Sequence, residues 1–313
     1  MKIAYIFPGQ GTQTVGMGKD IYEKYEEVRN TYKRIDDALG ESIEKLTYEG
    51  LQEELNQTKN TQITIYAMSM AILEILNKNG IVPSAAAGLS LGEYSALTCA
   101  NAISLEEGAK IVRKRGTLMQ ELAPQGEWAM AAIIGLEDDK VEEACSNVTE
   151  GFVRAVNYNC PGQVVVSGEK DAVAKAMEMA KELGARKVIE LKTSGPFHTE
   201  KLQEASKELR KELEKIQFSK CDIPVIKNFD GKPYGENDNM VEILANHVIN
   251  PVKFRKSIET MLDMGIDTFV EIGPGKTLSG FVRKVCKEKG SEANVFNIEN
   301  VETLENAINA IKQ

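Results

Sequence analysis

The sequence of 313 residues contains few histidines, cysteines and tryptophans, and these shortages exclude several classes of protein. It has two histidines, one tryptophan and five cysteines, and no two cysteines follow the C-x-x-C spacing. Scattered cysteines in odd number argue against a disulfide framework or a zinc knuckle and suit a reducing compartment. With so few histidines, we expect no transition-metal site.

Long apolar runs and an excess of basic residues are also missing. No stretch approaches the roughly 18 uninterrupted apolar residues that a membrane span needs. The first apolar run, Ile3–Phe7, is too short for a signal peptide and predicts a buried strand. The net charge of −9 argues against a globally basic surface for nucleic acid. We therefore expect a cytoplasmic globular protein that binds neither membrane nor nucleic acid.

Short apolar runs alternate with amphipathic stretches, which is the pattern of an α/β fold with parallel strands. Residues 3–7 and 85–89 each predict a strand that leads into a glycine-containing turn. Ser104 and Glu107 form a capping box that opens a helix to about residue 122. Later elements are predicted as helices at 63–77, 201–216, 240–248 and 254–264, and as strands at 223–226 and 268–272.

Residues 127–193 depart from this alternation. Their predicted order is strand, helix, strand, strand, helix, strand, which is the ferredoxin-like βαββαβ motif. Pro124-Gln125-Gly126 and Ser194-Gly195-Pro196 flank the segment and are typical of boundaries. We predict a large α/β-hydrolase-like subdomain with a parallel sheet, residues 1–126 and 194–313, and an inserted ferredoxin-like subdomain, residues 127–193.

Gly88-Leu89-Ser90-Leu91-Gly92 matches the pattern G-x-S-x-G. Alone the match is weak, because an ordinary strand-to-helix turn with small residues would also fit it. Its position between an apolar strand and a predicted helix is that of a nucleophile elbow. Ser90 is therefore the candidate nucleophile.

A serine hydroxyl needs a positioned base, and histidine is the usual one. His198 lies in a loop directly after the inserted segment, and His247 lies near a predicted helix end. Either one alone could be a surface or structural histidine. The position of His198 at the junction of two subdomains, downstream of Ser90, favours it as the base.

Two further features, an arginine on an apolar helix face and a glycine-rich loop, could bind negative charge. By i+3/i+4 spacing, Arg115 lies on the helix face of Ile111, Leu118, Met119 and Leu122, whereas Arg113 and Lys114 are expected in solvent. A buried arginine needs an anionic partner, and the sequence leaves open whether this is a protein or a substrate carboxylate. The loop Pro8-Gly9-Gln10-Gly11 lacks the patterns of nucleotide-binding loops, but one of its N–H groups could serve as an oxyanion donor.

A series of motifs occurs in order between residue 4 and about residue 280. They are Phe7-Pro8-Gly9-Gln10-Gly11, Gly88-Leu89-Ser90-Leu91-Gly92-Glu93-Tyr94, Arg115-Gly116 with Met119-Gln120, Ala129-Met130-Ala131-Ala132, Asn157-Tyr158-Asn159 with Pro161-Gly162-Gln163, Gly195-Pro196-Phe197-His198, Asn250-Pro251-Val252 and Glu271-Ile272-Gly273-Pro274-Gly275. Together they resemble the malonyl-CoA:acyl carrier protein transacylases of type II fatty acid synthesis. The combination is specific, whereas no single motif is.

This resemblance implies a ping-pong acyl transfer that needs no cofactor. Ser90 would attack the malonyl thioester while His198 takes its proton, and Arg115 would hold the malonyl carboxylate. The main-chain N–H groups of Gln10 and Leu91 would stabilise the oxyanion. The malonyl group would then pass to the phosphopantetheine thiol of an acidic acyl carrier protein.

The resemblance also implies the surroundings of these groups. Main-chain carbonyls would orient His198, and His247 is a candidate for that role. Leu89 departs from the family, which most often has histidine there, and His247 falls near a position that is usually glutamine. The positions that line the acyl pocket are matched by Gln62, Met119, Met130 and Phe197.

Three alternatives remain at this stage: an acyltransferase that loads a polyketide synthase, a serine esterase or thioesterase, and a non-catalytic carrier-protein scaffold. Arg115 argues against a hydrolase with an apolar acyl pocket, because a buried cation disfavours an apolar chain. We expect a monomer. Since the chain is itself acidic, docking of an acidic carrier protein needs a local basic patch, for which the candidates are Arg186, Lys187, Lys192, Arg283, Lys284 and Lys287.

Overall fold

The computed structural model describes residues 1–192 and 195–313. Its strands are β1 (Ile3–Phe7), β2 (Ala85–Gly88), β3 (Trp128–Ile134), β4 (Val153–Cys160), β5 (Gln163–Glu169), β6 (Lys187–Glu190), β7 (Val225–Ile226), β8 (Thr268–Ile272) and β9 (Asn294–Ile298). Its helices are α1 (Lys19–Lys24), α2 (Glu26–Leu39), α3 (Ile43–Glu49), α4 (Gln52–Leu55), α5 (Thr58–Lys78), α6 (Gly92–Cys99), α7 (Leu105–Glu121), α8 (Asp138–Ser146), α9 (Lys170–Glu182), α10 (Gln203–Leu213), α11 (Met240–His247), α12 (Phe254–Asp263), α13 (Thr277–Lys289) and α14 (Val301–Lys312). A short 3₁₀ helix, Glu200–Leu202, precedes α10.

The larger sheet is parallel and has the strand order β7-β2-β1-β8-β9. Strands β1, β2 and β8 are buried along their whole length; β1 and β2 are unbroken apolar or small-residue runs, as expected for a sheet covered on both faces, whereas β8 includes the buried Glu271. Phe7 pairs with Gly88, so β1 and β2 end side by side. The loops that follow them therefore meet at one edge of the sheet, where ligands bind in open α/β folds.

Helices α5 and α7 pack closely against each other beside this sheet. A Cβ atom at Gly108 would lie 2.1 Å from Tyr66 Oη, and one at Gly116 would lie 2.8 Å from Lys59 Cα. Only glycine permits this approach, because real Cβ atoms do not come so close. The close packing brings Gln62 on α5 opposite Arg115 on α7.

The smaller sheet is antiparallel, with the strand order β4-β5-β3-β6. Alternate residues of β3 serve two cores. Ala129, Ala131 and Ile133 pack with residues of α8 and α9, whereas Met130 and Ala132 join the core of the larger unit. The predicted α/β fold class and the βαββαβ order are confirmed, but the predicted end of the inserted subdomain, residues 193 and 194, lies outside the described residues.

Some elements differ from the sequence predictions. The helix expected at 201–216 is divided into the 3₁₀ turn and α10, and the strand expected at 223–226 keeps only two residues. Pro224 has no N–H for a strand ladder, which shortens β7 from its N-terminal side. Helices α1 to α4, strand β9 and helix α14 were not predicted.

Neither a membrane-spanning helix nor a disulfide is found in the part of the chain that the structure describes. No helix there combines the length and apolar character required to cross a bilayer. All five cysteines lie in the described ranges and are free thiols.

Candidate active site

Ser90 lies in the tight turn between β2 and α6. Its φ of 54° is in the left-handed region, which is unusual for a residue with a side chain. A Cβ atom at Gly88 would lie 1.9 Å from the carbonyl carbon of Gly92, and one at Gly92 would lie 2.2 Å from Phe7 O. Both flanking glycines are thus required, and the turn places the Ser90 side chain at the end of the sheet.

Asn228 holds this turn from the loop after β7. Its Oδ1 accepts a hydrogen bond from Ser90 N–H at 2.8 Å, and its Nδ2 donates to Gly88 O at 2.6 Å. Its own N–H donates to Glu93 Oε2 at 3.0 Å. One buried side chain therefore bonds main-chain groups on both sides of Leu89. No motif in the sequence indicated this role.

Replacing Asn228 with alanine is expected to lower the free energy of unfolding by about 2–4 kcal/mol. The substitution leaves the buried Gly88 carbonyl without its partner, at a cost of about 1–3 kcal/mol, and the half-buried Ser90 N–H without its partner at a cost of about 1 kcal/mol. Urea unfolding measures the free energy of unfolding of each variant. Asn294→Ala, at an exposed position, should change this free energy by less than about 0.5 kcal/mol. Equal stability of the two variants would contradict the role of Asn228.

His198 contacts Ser90 directly, with 2.8 Å between Nε2 and Oγ. Its Nδ1 lies 3.0 Å from His247 O and 3.1 Å from Asn250 O. Carbonyl oxygens only accept hydrogen bonds, so Nδ1 carries the proton and Nε2 presents its lone pair to the Ser90 hydroxyl. His247 is the last residue of α11, where main-chain carbonyls lack intrahelical donors, and Asn250 lies three residues further along the chain.

The protonation state of His198 follows from its surroundings. The residue is buried, its main-chain N–H donates to Val248 O at 3.0 Å, and its φ is 61°. Burial, and next the charge of Arg115, lower the pKa of His198 to about 4. The imidazole is therefore neutral near pH 7 and able to accept a proton.

Arg115 is fully buried, as its helical face predicts. Its Nη2 donates to Ser90 Oγ at 3.1 Å and its Nη1 to Gln62 Oε1 at 2.7 Å. Within residues 1–192 and 195–313 no carboxylate forms an ion pair with it, and its Nε has no hydrogen-bond partner. Burial lowers the pKa of Arg115. A buried cation whose hydrogen-bond partners are all neutral has the charge and the donors to bind an anionic group.

The expectation that Arg113 is solvated is wrong. Its guanidinium donates to Lys59 O at 2.9 Å and to Asn60 Oδ1 at 2.8 Å, and it forms an ion pair with Glu41. Lys114, in contrast, is exposed. The two arginines of α7 thus occupy different surroundings, one at the periphery and one at Ser90.

A cavity of about 580 Å³ opens over Ser90 between the two sheets. This volume is within the usual range of small-molecule sites. Residues of both subdomains line it, and β6 and the segment after it contribute one wall. The lining includes Gly9, Gln10, Gln62, Leu89, Ser90, Leu91, Met119, Met130, Ile189, Glu190, Lys192, Phe197 and His198.

The structure brings the other predicted site residues to the same place. Gln10 and Leu91 lie in the wall beside Ser90, and among the described residues neither main-chain N–H donates to a protein acceptor. Gln62 Nε2 lies 3.5 Å from Met119 Sδ, while Met130 and Phe197 line the cavity. His247 is not among the residues that line the cavity; its main-chain oxygen accepts a hydrogen bond from His198 Nδ1, and its ring packs against the His198 ring.

Glu93, Asn228 and the carbonyl of Asn250 are site groups that the sequence reasoning missed. Glu93 directly follows the G-x-S-x-G pattern, and this position next to the candidate nucleophile was the feature of the sequence that could have indicated it. No group of three or more His, Cys, Asp or Glu side chains placed to hold a metal occurs among the described residues.

An elbow serine with a hydrogen-bonded histidine at the end of a parallel sheet is the arrangement of enzymes that form a serine ester. The chain belongs to the acyl transferase domain family, whose model matches residues 4–308. It is 43% identical over 286 residues, 91% of this chain and 90% of the relative, to the malonyl CoA-acyl carrier protein transacylase of Bacillus subtilis strain 168.

Solved structures agree with the sequence comparison. The crystal structure of the malonyl CoA-acyl carrier protein transacylase from Clostridium perfringens superposes with a TM-score of 0.94 at 43% identity and covers 100% of this chain and 98% of that one. A malonyl-transacylase in complex with a type II PKS acyl-carrier protein gives a TM-score of 0.94 at 35% identity, with 99% and 100% coverage. The family expected from the motifs is confirmed.

Proposed function

We propose that this acyltransferase moves the malonyl group from malonyl-CoA to the phosphopantetheine thiol of an acyl carrier protein through an ester on Ser90. In this way it supplies extender units for fatty acid biosynthesis. The observation that carries the proposal is that Ser90 Oγ lies 2.8 Å from His198 Nε2 and 3.1 Å from Arg115 Nη2. A base and a fixed cation therefore both contact the nucleophile. The relatives named above support the same substrate pair.

In the first half-reaction Ser90 Oγ attacks the thioester carbonyl while His198 Nε2 takes the hydroxyl proton. The negative charge that develops on the carbonyl oxygen is stabilised by the N–H groups of Gln10 and Leu91. The carbon–sulfur bond then breaks, and the CoA thiolate takes the proton from His198 as it leaves. The products are free CoA and the malonyl ester of Ser90.

The second half-reaction reverses these roles. His198 Nε2 takes the proton of the carrier-protein thiol, whose sulfur attacks the ester carbonyl. The Ser90–acyl bond breaks, and His198 returns its proton to Ser90 Oγ. Lys192 at the cavity wall provides positive charge where an acidic carrier protein would approach. All groups in these steps come from the chain or from its two substrates, so we propose that no cofactor takes part.

Arg115 favours transfer of a dicarboxylic acyl group over hydrolysis of apolar esters. Malonyl carries a carboxylate that can replace the neutral hydrogen-bond partners of the buried guanidinium, whereas an apolar chain offers it no hydrogen-bond acceptor. Loading of a polyketide carrier protein is the second candidate, because the same fold occurs in the malonyl-transacylase solved with a type II PKS carrier protein. Its chemistry would be identical.

Intact-mass spectrometry after mixing with malonyl-CoA tests the proposal. We expect a single malonyl adduct that is absent in Ser90→Ala and in Ser90→Gly. The glycine variant is the matched control, because it removes the hydroxyl and also accepts the positive φ. Phosphopantetheinylated carrier protein should discharge the adduct and carry the malonyl group afterwards.

Other outcomes separate the alternatives. Rapid release of free malonate would indicate a hydrolase, and absence of any adduct would indicate a scaffold. Comparison of carrier proteins from fatty acid and polyketide systems, by the rate of adduct discharge, would decide between the two pathways. A higher rate with the polyketide carrier would overturn the assignment to fatty acid synthesis.

We also propose that the chain acts as a monomer in the cytoplasm. A single copy contains every group used in the steps above, and free cysteines suit a reducing compartment. Light scattering coupled to size-exclusion chromatography should give the mass of one chain. A stable dimer at micromolar concentration would contradict the monomer.

A further inference from the structure

Two buried ionisable side chains lie behind His198, and the steps above do not use them. His247 and Glu93 are only 2% and 1% exposed. The rings of His198 and His247 are 5.3 Å apart, and His247 Nδ1 lies 3.8 Å from Glu93 Oε2. His247 is therefore interposed between the base and a carboxylate.

The His247 ring is unusual because neither of its nitrogens has a hydrogen-bond partner among the described residues. Burial of such polar atoms is costly, and native structures contain few of them. The main-chain oxygen that orients His198 would be present with any residue at position 247. The contact that orients His198 therefore does not need the imidazole, and the hydrogen bonds of the described residues do not account for this buried polar ring.

Glu93 is held in a fixed position by two donors. Asn228 N–H donates to its Oε2 at 3.0 Å, and the Tyr234 hydroxyl donates to its Oε1. Oε2 is also the atom that faces His247, so the carboxylate is oriented toward the histidine pair. The charged or titratable groups that face Glu93 from the packed elements are Arg115 of α7, Tyr94 of α6, Lys227 and Tyr234 of the loop after β7, and His247 of α11.

Deprotonation of Ser90 places the positive charges of His198 and Arg115 next to each other. In the ligand-free protein the guanidinium of Arg115 donates to Ser90 Oγ, and His198 becomes an imidazolium beside this cation when it takes the Ser90 proton. Two buried cations next to one another repel, and the charge of Arg115 disfavours protonation of His198. A negative charge on the far side of His198 would offset this repulsion.

We propose that Glu93, acting through the His247 side chain, is a positioning residue that stabilises the His198 imidazolium during acyl transfer. The proposal rests on the function given above, in which His198 is the base for Ser90. His247 Nδ1 faces Glu93 Oε2 at 3.8 Å, and the other side of the ring packs against His198, so the imidazole lies between the carboxylate and the base. The carboxylate would thus act on His198 through an intervening side chain. In serine hydrolases, by contrast, the carboxylate contacts the catalytic histidine directly.

The proposal predicts that the reactivity of Ser90 decreases as the pH falls and Glu93 becomes protonated. Burial raises the pKa of Glu93 to about 7. The carboxylate is therefore present above about pH 7 and is lost as the pH falls through this value, and the reactivity of Ser90 should fall with it. Protonation of His198 itself, with its pKa of about 4, would act only at much lower pH.

The test uses phenylmethylsulfonyl fluoride, which reacts with Ser90 without malonyl or carrier protein. Ser90 Oγ forms a bond to sulfur, the sulfur–fluorine bond breaks, fluoride leaves, and His198 takes the proton. The rate of labelling is followed by intact mass from about pH 5 to 9. For the unaltered protein we expect a decrease in rate below about pH 7.

Three variants identify the source of this decrease. Glu93→Gln should lower the rate roughly tenfold at pH 8 and remove the step near pH 7. His247→Leu should do the same although Glu93 and Arg115 remain. Tyr234→Phe removes a donor that favours the carboxylate, so it should shift the step to higher pH. Glu271→Gln is the matched control, because Glu271 is a buried carboxylate bound to the main-chain N–H groups of Leu278 and Ser279. It should leave the profile unchanged.

The inference fails if Glu93→Gln and His247→Leu keep the rate and profile of the unaltered protein. It also fails if Glu271→Gln removes the step equally, since the effect would then be a general loss of stability. Thermal unfolding of each variant shows whether it is folded, and His247→Gln provides a milder substitution if the leucine variant is not. Malonyl-CoA separates the two proposals: labelling that follows the prediction without a malonyl adduct would contradict the proposed function alone. A normal adduct with unchanged profiles would contradict this inference alone.

Discussion

Replacing His198 with asparagine is expected to slow malonyl transfer by about 10³–10⁴-fold while the protein remains folded. The variant loses the base that lies 2.8 Å from Ser90 Oγ, and a positioned acid–base group contributes about 10²–10⁴-fold. The same group serves both half-reactions, which places the expected effect in the upper part of this range. Single-turnover formation of the malonyl adduct measures the first half-reaction, and discharge by carrier protein measures the second.

Asparagine is the better substitution because it adopts positive φ more easily than alanine does, and position 198 has a φ of 61°. His198→Ala serves as the comparison and should be equally slow but less stable. Both variants should still bind malonyl-CoA, which calorimetry can measure. Transfer within tenfold of the unaltered rate in the asparagine variant would show that another group is the base.

Replacing Arg115 with alanine is expected to lower kcat/KM for malonyl-CoA by a factor of tens to thousands, with a much smaller loss for acetyl-CoA. The lost contact between guanidinium and substrate carboxylate corresponds to roughly 2–5 kcal/mol. Acetyl has no carboxylate, so the ratio of the two kcat/KM values isolates this contact from general damage. Arg115→Lys should give an intermediate ratio, because lysine keeps the charge but not the two-pronged geometry.

Arg113→Ala is the matched control for this experiment. Arg113 lies on the same helix and is also paired, but with Glu41 and Asn60 at the periphery. Its loss should leave the ratio of malonyl to acetyl transfer unchanged. An equal loss on both substrates in Arg115→Ala would mean that Arg115 has a structural role only.

The parts of the fold and site that were predicted correctly depend on local sequence. The unbroken apolar runs of β1 and β2 indicated buried parallel strands, and the capping box at Ser104 is present as predicted. The burial of Arg115 followed from its spacing relative to apolar residues on α7. Each of these inferences needed only residues within a few turns of one another.

The parts that were missed depend on contacts between distant segments. Asn228 is 138 residues from Ser90 in the chain, and the two-residue strand before it gives no periodic signal. Glu93 lies in a helix whose first six residues, Gly92 to Leu97, are all buried, so no polar face distinguished it from its neighbours. Similarly, Arg113 was assigned to solvent because its partner Glu41 comes from a different element.

The left-handed backbone at Ser90 restricts which nucleophiles this scaffold can adopt. A β-branched side chain is strongly disfavoured at positive φ, so threonine, although it is the closest chemical relative of serine, does not fit position 90. Cysteine has no second substituent on its Cβ and is nearly the size of serine. The turn can therefore accept a cysteine thiol in place of the serine hydroxyl, but it does not accept the secondary alcohol of threonine.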